Sequence, residues 1–324
     1  MWFKKITYLI ILTIVLSLFV LLYFITNPIF PVKKVNIEIP VNNDRLYTDV
    51  KELTSVNPPR NFTNLSSLNS TAEYIHGEFR KLNCRVEEQK YTADGNEYKN
   101  IIASFGPEDG ERIIVGAHYD VYENYPGADD NASAVAGMLE VARLIDELKP
   151  ELKHRIDFVA YTLEEPPYFR TKYMGSAVHA KSLADANVKV KLMINLESIG
   201  YYSDEEHSQK YPIFFLKWFY PDKANYIMIT GNLGHGKTVS EMKKYMKESS
   251  DIDVYSINAP RFLPGIDFSD HLNYWNKGYE ALMITDTAFY RNSNYHRASD
   301  TIETLNFDKM AEVVKGVYWT VVNL

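Results

Sequence analysis

Residues 115–143 read VGAHYDVYENYPGADDNASAVAGMLEVAR, and the fold follows from how this stretch is parsed. It begins inside an apolar strand, Ile113–Ala117, and carries His118 and Asp120 just past the strand's end. A Pro126-Gly127 turn leads to Ala128-Asp129-Asp130-Asn131, and a helix is expected over Ala132–Leu148, with Val135, Met138, Leu139, Ala142, Leu144 and Ile145 on its buried stripe. Residues two apart on a strand share a face, so His118 and Asp120 can act together. An imidazole suits a metal ion, and a carboxylate can hold its other N–H and fix the tautomer. Alone, this pair is no more than a polar strand end. Its meaning depends on the rest of the chain.

Outward from this core, strands and helices alternate. Upstream, Ser70-Thr71-Ala72-Glu73 has the capping-box form and opens an expected helix with Ile75, Phe79 and Leu82 on one face; His76 and Glu78 there read as solvated. Strands are expected at Arg85–Tyr91 and Tyr98–Phe105. Downstream come a strand at Ile156–Tyr161, a helix from Gly175 to Leu183 and a strand from Val188 to Asn195. Short strands at Tyr226–Thr230 and Ala281–Thr285 flank a Lys237–Lys247 helix, and Asp308–Val322 closes the chain as an amphipathic helix. This rhythm implies an α/β fold, a three-layer α/β/α sandwich around a mixed, mostly parallel sheet. Reactive residues then belong beyond the carboxyl ends of the strands.

The chain has 324 residues, 46% of them hydrophobic and 24% charged, enough for one large α/β domain or two small ones. A net charge of −7 argues against a nucleic-acid groove, and the single cysteine, Cys84, excludes an internal disulfide. Residues 6–25, ITYLIILTIVLSLFVLLYFI, carry no charge. About 20 such residues span a hydrocarbon core of ~30 Å. Lys4 and Lys5 precede them, which favours a cytoplasmic N-terminus and an exported body, although Lys33 and Lys34 follow. We therefore expect a membrane anchor at 1–26 that contacts the lipid bilayer, an aperiodic tether at 27–55 and a catalytic domain at 56–324. A cleaved signal peptide would have a shorter apolar region followed by small residues.

Polar groups recur where strands stop: His118 and Asp120, Glu164-Glu165, Glu197, and Tyr295-His296 after a short loop. Asp130 precedes a helix. Adjacent strand residues point opposite ways, so Glu164 and Glu165 reach one site only if the chain bends, and Pro166-Pro167 stops the strand there. Two crowded carboxylates repel unless a cation or shared proton relieves them. In a metal site one binds the cation and the other takes a proton from water. If Asp130, Glu165 and Glu197 meet His118 and His296, about three negative charges face about four positive on two divalent ions, leaving a balance that can hold hydroxide.

The ordered set His118-Tyr-Asp120, Gly127-Ala-Asp-Asp130-Asn-Ala-Ser133, Glu164-Glu165, Ile194-Asn-Leu-Glu197-Ser-Ile-Gly200 and Tyr295-His296-Arg-Ala-Ser-Asp300-Thr resembles the motifs of the co-catalytic zinc aminopeptidases. Their relatives include glutamate carboxypeptidase, glutaminyl cyclase and the transferrin receptor. The resemblance runs from about Asn57 to the C-terminus. It implies two zinc ions: His118 and Glu197 on one, Glu165 and His296 on the other, and Asp130 bridging. It also implies Asp120 orienting His118, Glu164 as general base toward a zinc-held hydroxide, a cis peptide after Asp130, and peptide substrates with a free N-terminus. Asp129 is then supporting or exposed, and Ser269-Asp270-His271 supports the ligands or lines a pocket. Glu197 stands where these aminopeptidases usually carry Asp, and Ala134 where they carry Gly. The aromatic region Tyr201–Tyr226, with Phe262–Phe268 and Phe289–Tyr290, is expected to wall a pocket for apolar or aromatic N-terminal side chains, the alternative being an apolar flap packed on the body or the membrane. The rivals are a one-zinc glutaminyl cyclase, a carboxypeptidase using Arg261, Arg291 or Arg297 as a carboxylate clamp, and a non-catalytic membrane-anchored binding module.

Overall fold

In the computed structural model, residues 2–29 and 31–324 are described; Met1 of the expected anchor and Phe30 of the expected tether lie outside the described residues. The apolar N-terminal run forms α1 (Trp2–Thr26). Over Lys4–Thr26 it is long and apolar enough to cross a membrane, and none of its most apolar window is buried.

The stretch read as an aperiodic tether contains α2 (Asn43–Thr54). Asn42 caps it, its side chain accepting from the Arg45 amide, and Leu46, Val50 and Leu53 are buried at helical spacing. Eight polar residues surround this short stripe, which hides it in the sequence. α3 runs Leu65–Arg80, so its start lies five residues before the Ser70–Glu73 pattern. Leu68 and Ala72 extend the stripe of Ile75 and Phe79 toward the N-terminus, and Ser70 donates to the Ser66 carbonyl inside the helix instead of capping it. Glu78, expected in solvent, accepts from Arg143 at 2.9 Å.

The sheet comprises β1 (Arg85–Ala93), β2 (Asn96–Phe105), β3 (Arg112–His118), β4 (Arg155–Tyr161), β5 (Val190–Glu197), β6 (Tyr226–Asn232), β7 (Asp253–Ala259) and β8 (Ala281–Thr285). Between them lie α4 (Ala134–Leu148), α5 (Gly175–Asp185), α6 (Gly236–Ser249) and α7 (His271–Trp275), and α8 (Phe307–Asn323) ends the chain. β7 and α7 are additions to the elements legible in the sequence. The strand order is β1-β2-β4-β3-β5-β8-β6-β7. β3 pairs in parallel with β4 and β5, β5 with β8, and β6 with β7; the β1–β2, β2–β4 and β6–β8 pairs are antiparallel. β3, β4, β5 and β8 therefore end at one edge.

Two apolar layers cover the sheet. α2, α3, α4, α6 and α8 bury one face together with Ile113, Val115, Phe158, Ile194 and Ile284. α5, α7 and the segment around Leu216 and Tyr220 bury the other with Ile114, Val159, Met193, Met228 and Ile257. This is the three-layer α/β/α arrangement expected of alternating elements.

Candidate metal centre

Each candidate residue arrives at the site by the ending of an element. β3 ends on His118, and β5 ends on Glu197. After β4 the chain bends at Leu163, whose φ of 61° lies in the left-handed region, and both Glu164 and Glu165 reach the site. His296 comes from the loop beyond β8. Asp130 lies in the Ala128–Ser133 turn ahead of α4, and its peptide bond to Asn131 is cis, as the resemblance implies.

Asp130 is the centre of the cluster. Its Oδ1 lies 3.3 Å from His118 Nε2 and its Oδ2 lies 3.1 Å from His296 Nε2. His118 Nε2 is also 3.4 Å from Glu197 Oε2 and 3.8 Å from Glu164 Oε2, while His296 Nε2 is 3.3 Å from Glu165 Oε1. Two sets, His118/Asp130/Glu197 and Asp130/Glu165/His296, each bring ligand-type atoms within 4.8 Å of one another. All five residues predicted from sequence thus converge, and Glu164 stands beside them outside both sets.

His118 Nε2, Asp130 Oδ1, Glu165 Oε1 and His296 Nε2 are buried and make no hydrogen bond. Leaving such atoms unpaired costs about 1–3 kcal/mol each. These four, divided between the two sets and all imidazole nitrogen or carboxylate oxygen, fit the donor set of zinc-like cations. Without a cation the groups share protons. Burial works against a charged His118, but Glu197 and Glu164 raise its pKa well above the usual imidazole value. Burial also opposes the charge on His296, yet Asp130 and Glu165 raise it to about 10. Burial, followed by repulsion from Asp130, lifts Glu165 to about 7. Glu164 is held well above the carboxylate range by burial, with His118 opposing and Glu165 and Glu197 adding to the shift.

The neighbouring side chains explain why the cluster holds its shape. The Asp120 carboxylate accepts the amides of Glu164 and Glu165, both at 3.1 Å. His118 Nδ1 meets the Asp120 main-chain carbonyl at 3.2 Å and one carboxylate oxygen at 3.5 Å. Asp120 therefore orients the imidazole mainly through its backbone, while its carboxylate fixes the glutamate bend. Asp129 is buried and supporting: it accepts the Gly200 amide at 2.9 Å and the Asn292 side chain at 2.8 Å. Ser269 donates to Glu197 at 2.6 Å, which places the Ser-Asp-His element behind a candidate ligand.

Two supports carried no assigned role in the sequence. Asp300 accepts the amides of Asp129 and Asp130 at 3.0 and 3.2 Å; its place in the Tyr295–Thr301 motif was the available signal. Arg60, 1% exposed, donates to the carbonyls of Leu53, Tyr119, Pro126 and Gly127, tying the His118 loop to the Asp130 loop. Nothing in the local pattern Pro58-Pro59-Arg60 announces that clamp. The His296 ring is stacked between Tyr122 and Tyr295, at centroid distances of 4.1 and 3.9 Å.

Beside Glu197 opens an apolar cavity enclosing about 710 Å³ including its mouth. Tyr211, Leu216, Tyr220, Phe268, Phe289 and Tyr295 are among its walls. The expected aromatic pocket therefore exists, but Phe214, Phe215, Trp218 and Phe219 face outward and are not part of it. Arg291 is buried and donates to Gln209 and the Tyr226 carbonyl, and Arg261 lies 3.7 Å from Asp267. Both are committed to the chain itself. Arg297 lies in a small cleft beside Asp130 and His296.

The model of peptidase family M28 matches residues 100–321. YfbL of Escherichia coli (strain K12) is 49% identical over 282 residues, 85% of this chain and 86% of that one. Leucine aminopeptidase 1 of Sclerotinia sclerotiorum is 25% identical over 69% of this chain and 56% of its own length. Among solved structures, glutaminyl cyclase of Bacteroides thetaiotaomicron is similar with a TM-score of 0.66 at 18% identity, over 89% of this chain and 100% of that one.

Proposed function

The chain belongs to peptidase family M28, and from that premise we propose that it is a membrane-anchored, two-zinc aminopeptidase removing apolar residues from peptide N-termini. The observation that carries this reading is the pair of ligand sets sharing Asp130. A single-ion site has no use for a second complete set. His118 and Glu197 would hold one zinc, Glu165 and His296 the other, with Asp130 between them. Bound there, zinc polarises a peptide carbonyl and makes water acidic enough to ionise near neutral pH.

The remaining chemistry belongs to the protein's own groups. Glu164, outside both ligand sets and 3.8 Å from His118, is the general base. It takes the proton from the attacking water as the oxygen–carbon bond forms, and delivers it to the leaving nitrogen as the carbon–nitrogen bond breaks. Asp120 keeps that carboxylate in place through the two amide hydrogen bonds. The acidic surroundings attract the substrate's α-ammonium, and the apolar cavity beside Glu197 receives its side chain. We further propose that α1 anchors the chain, with the N-terminus in the cytoplasm and the catalytic body outside.

The test is an array of aminoacyl chromogenic amides, assayed with and without chelator, beside zinc quantitation and a parallel assay for pyroglutamate formation. Release of apolar residues with about two zinc ions per chain is expected. Pyroglutamate formation with one zinc would replace this reading by an acyltransferase. No turnover with either substrate class would favour a binding module.

A further inference from the structure

Between β5 and β6 a short turn of 3-10 helix, Phe214–Trp218, presents aromatic rings to the outside. Phe214 is 68% exposed, Phe215 46%, Trp218 72% and the following Phe219 38%. Rings so exposed on adjoining residues amount to a few hundred Å², on the order of the largest apolar patches that soluble monomers carry. The turn is not loose. Leu216 and Tyr220 are buried beneath it in the cavity wall, and the Tyr220 hydroxyl donates to the Ser256 carbonyl on β7 at 2.8 Å.

The same residue of β7 holds the end of α1. Ser256 Oγ donates to the Thr26 carbonyl at 3.0 Å, Asn258 Nδ2 to the Phe24 carbonyl at 3.1 Å, and Lys243 Nζ to the Thr26 and Asn27 carbonyls at 2.8 and 3.1 Å. Ile25 packs against the apolar cluster that includes Leu216 and Tyr220. The helix that can cross a membrane is thus fastened to the body by its last turn, and the aromatic turn sits beside that fastening.

We propose that Phe214, Phe215, Trp218 and Phe219 enter the interface of the same bilayer that α1 spans. This rests on the reading that α1 is retained as an anchor. A spanning helix leaves the hydrocarbon near its end, so groups fastened beside Thr26 lie at headgroup level, where aromatic rings are favoured. Lys217, whose ammonium lies 5.6 Å from the Phe214 ring, can reach outward to the headgroups. The second foothold fixes how the body sits on the membrane. It also brings the apolar cavity, whose wall includes two residues of this segment, to the membrane surface.

The test uses the full chain in phosphatidylcholine–phosphatidylglycerol vesicles made with and without lipids brominated near the headgroup. Quenching is compared between the wild type and Trp218→Phe, so that the other tryptophans cancel in the difference. The expected result is a Trp218 component reduced about twofold or more by brominated lipid. Emission typical of water and insensitive to bromine, from chain that stays with the vesicles after an alkaline wash, overturns the foothold and leaves the anchor standing. Unquenched, blue-shifted emission that depends on protein concentration assigns the patch to a second copy and also overturns it. Release of the chain by the alkaline wash removes the anchor reading, and the foothold with it.

Discussion

Glu164 and Glu165 are neighbours in sequence with different company: Glu165 faces His296 across 3.3 Å, and Glu164 faces His118 at 3.8 Å. Replacing Glu164 by Gln keeps the shape and removes the proposed base. The expected outcome is a kcat lower by ~10²–10⁴ with zinc content near wild type; turnover near wild type would contradict the assigned role. A second prediction concerns a histidine away from the site. His179 is 2% exposed and its Nδ1 lies 2.6 Å from the Tyr274 hydroxyl. Burial, assisted by Arg112 and Arg155 and opposed by Asp157, lowers its pKa to about 4. The unfolded chain, with a value near ~6.5, binds this proton first as pH falls, so the native state loses stability between roughly pH 6.5 and 4, by about 3 kcal/mol in all. His179→Gln is expected to flatten that part of the stability profile in urea unfolding at successive pH values; an unchanged slope would place the titration elsewhere. At this scale the sequence was legible where chemistry is unusual. Paired acids beside Pro-Pro and histidines at strand ends stand out, whereas Arg60 works through backbone carbonyls brought together only by folding.

Among elements, legibility follows the length and purity of the apolar pattern. β3, β4 and β5 carry clear apolar runs, and α4 and α8 carry long stripes, so all five are readable to within about two residues at either end. β7 reads DVYSINA, with Ser256 and Asn258 turned to the polar fastening of α1, and its alternation is correspondingly weak. α7 has five residues, too few to show a period. α2 is the informative miss. Its stripe of Leu46, Val50 and Leu53 meets α4, and Asp49 accepts from Arg143 at 2.6 and 3.0 Å. If α2 is part of the body, Leu46→Ala removes a fully buried side chain and lowers unfolding free energy by about 2–4 kcal/mol. A tether would register less than about 0.5 kcal/mol. The midpoint of urea unfolding decides between them.

For the whole molecule, the site is where the sheet's carboxyl edge is joined. His118 closes β3, Glu165 follows β4, Glu197 closes β5, His296 follows β8, and Asp130 starts the path into α4. Asp120 holds the glutamate bend and Asp300 the Asp130 turn through main-chain amides, Ser269 donates to Glu197, and the His296 ring is stacked between Tyr122 and Tyr295. A cation held by these five proposed ligands would be a cross-link among five parts of the fold, formed in the native state and absent from the unfolded chain, where the five groups are scattered. Binding free energy then appears as folding free energy. At a free zinc concentration about a thousandfold above the dissociation constant, one site contributes about 4 kcal/mol, or roughly 6–8 °C in Tm for a body of this size. Removal by chelator is expected to lower Tm by that order, and restoring zinc to recover it, in scans that need no substrate. A Tm indifferent to chelator and to added zinc would mean that protons alone reconcile the five groups, and the two-zinc reading would fail on stability before any assay of turnover.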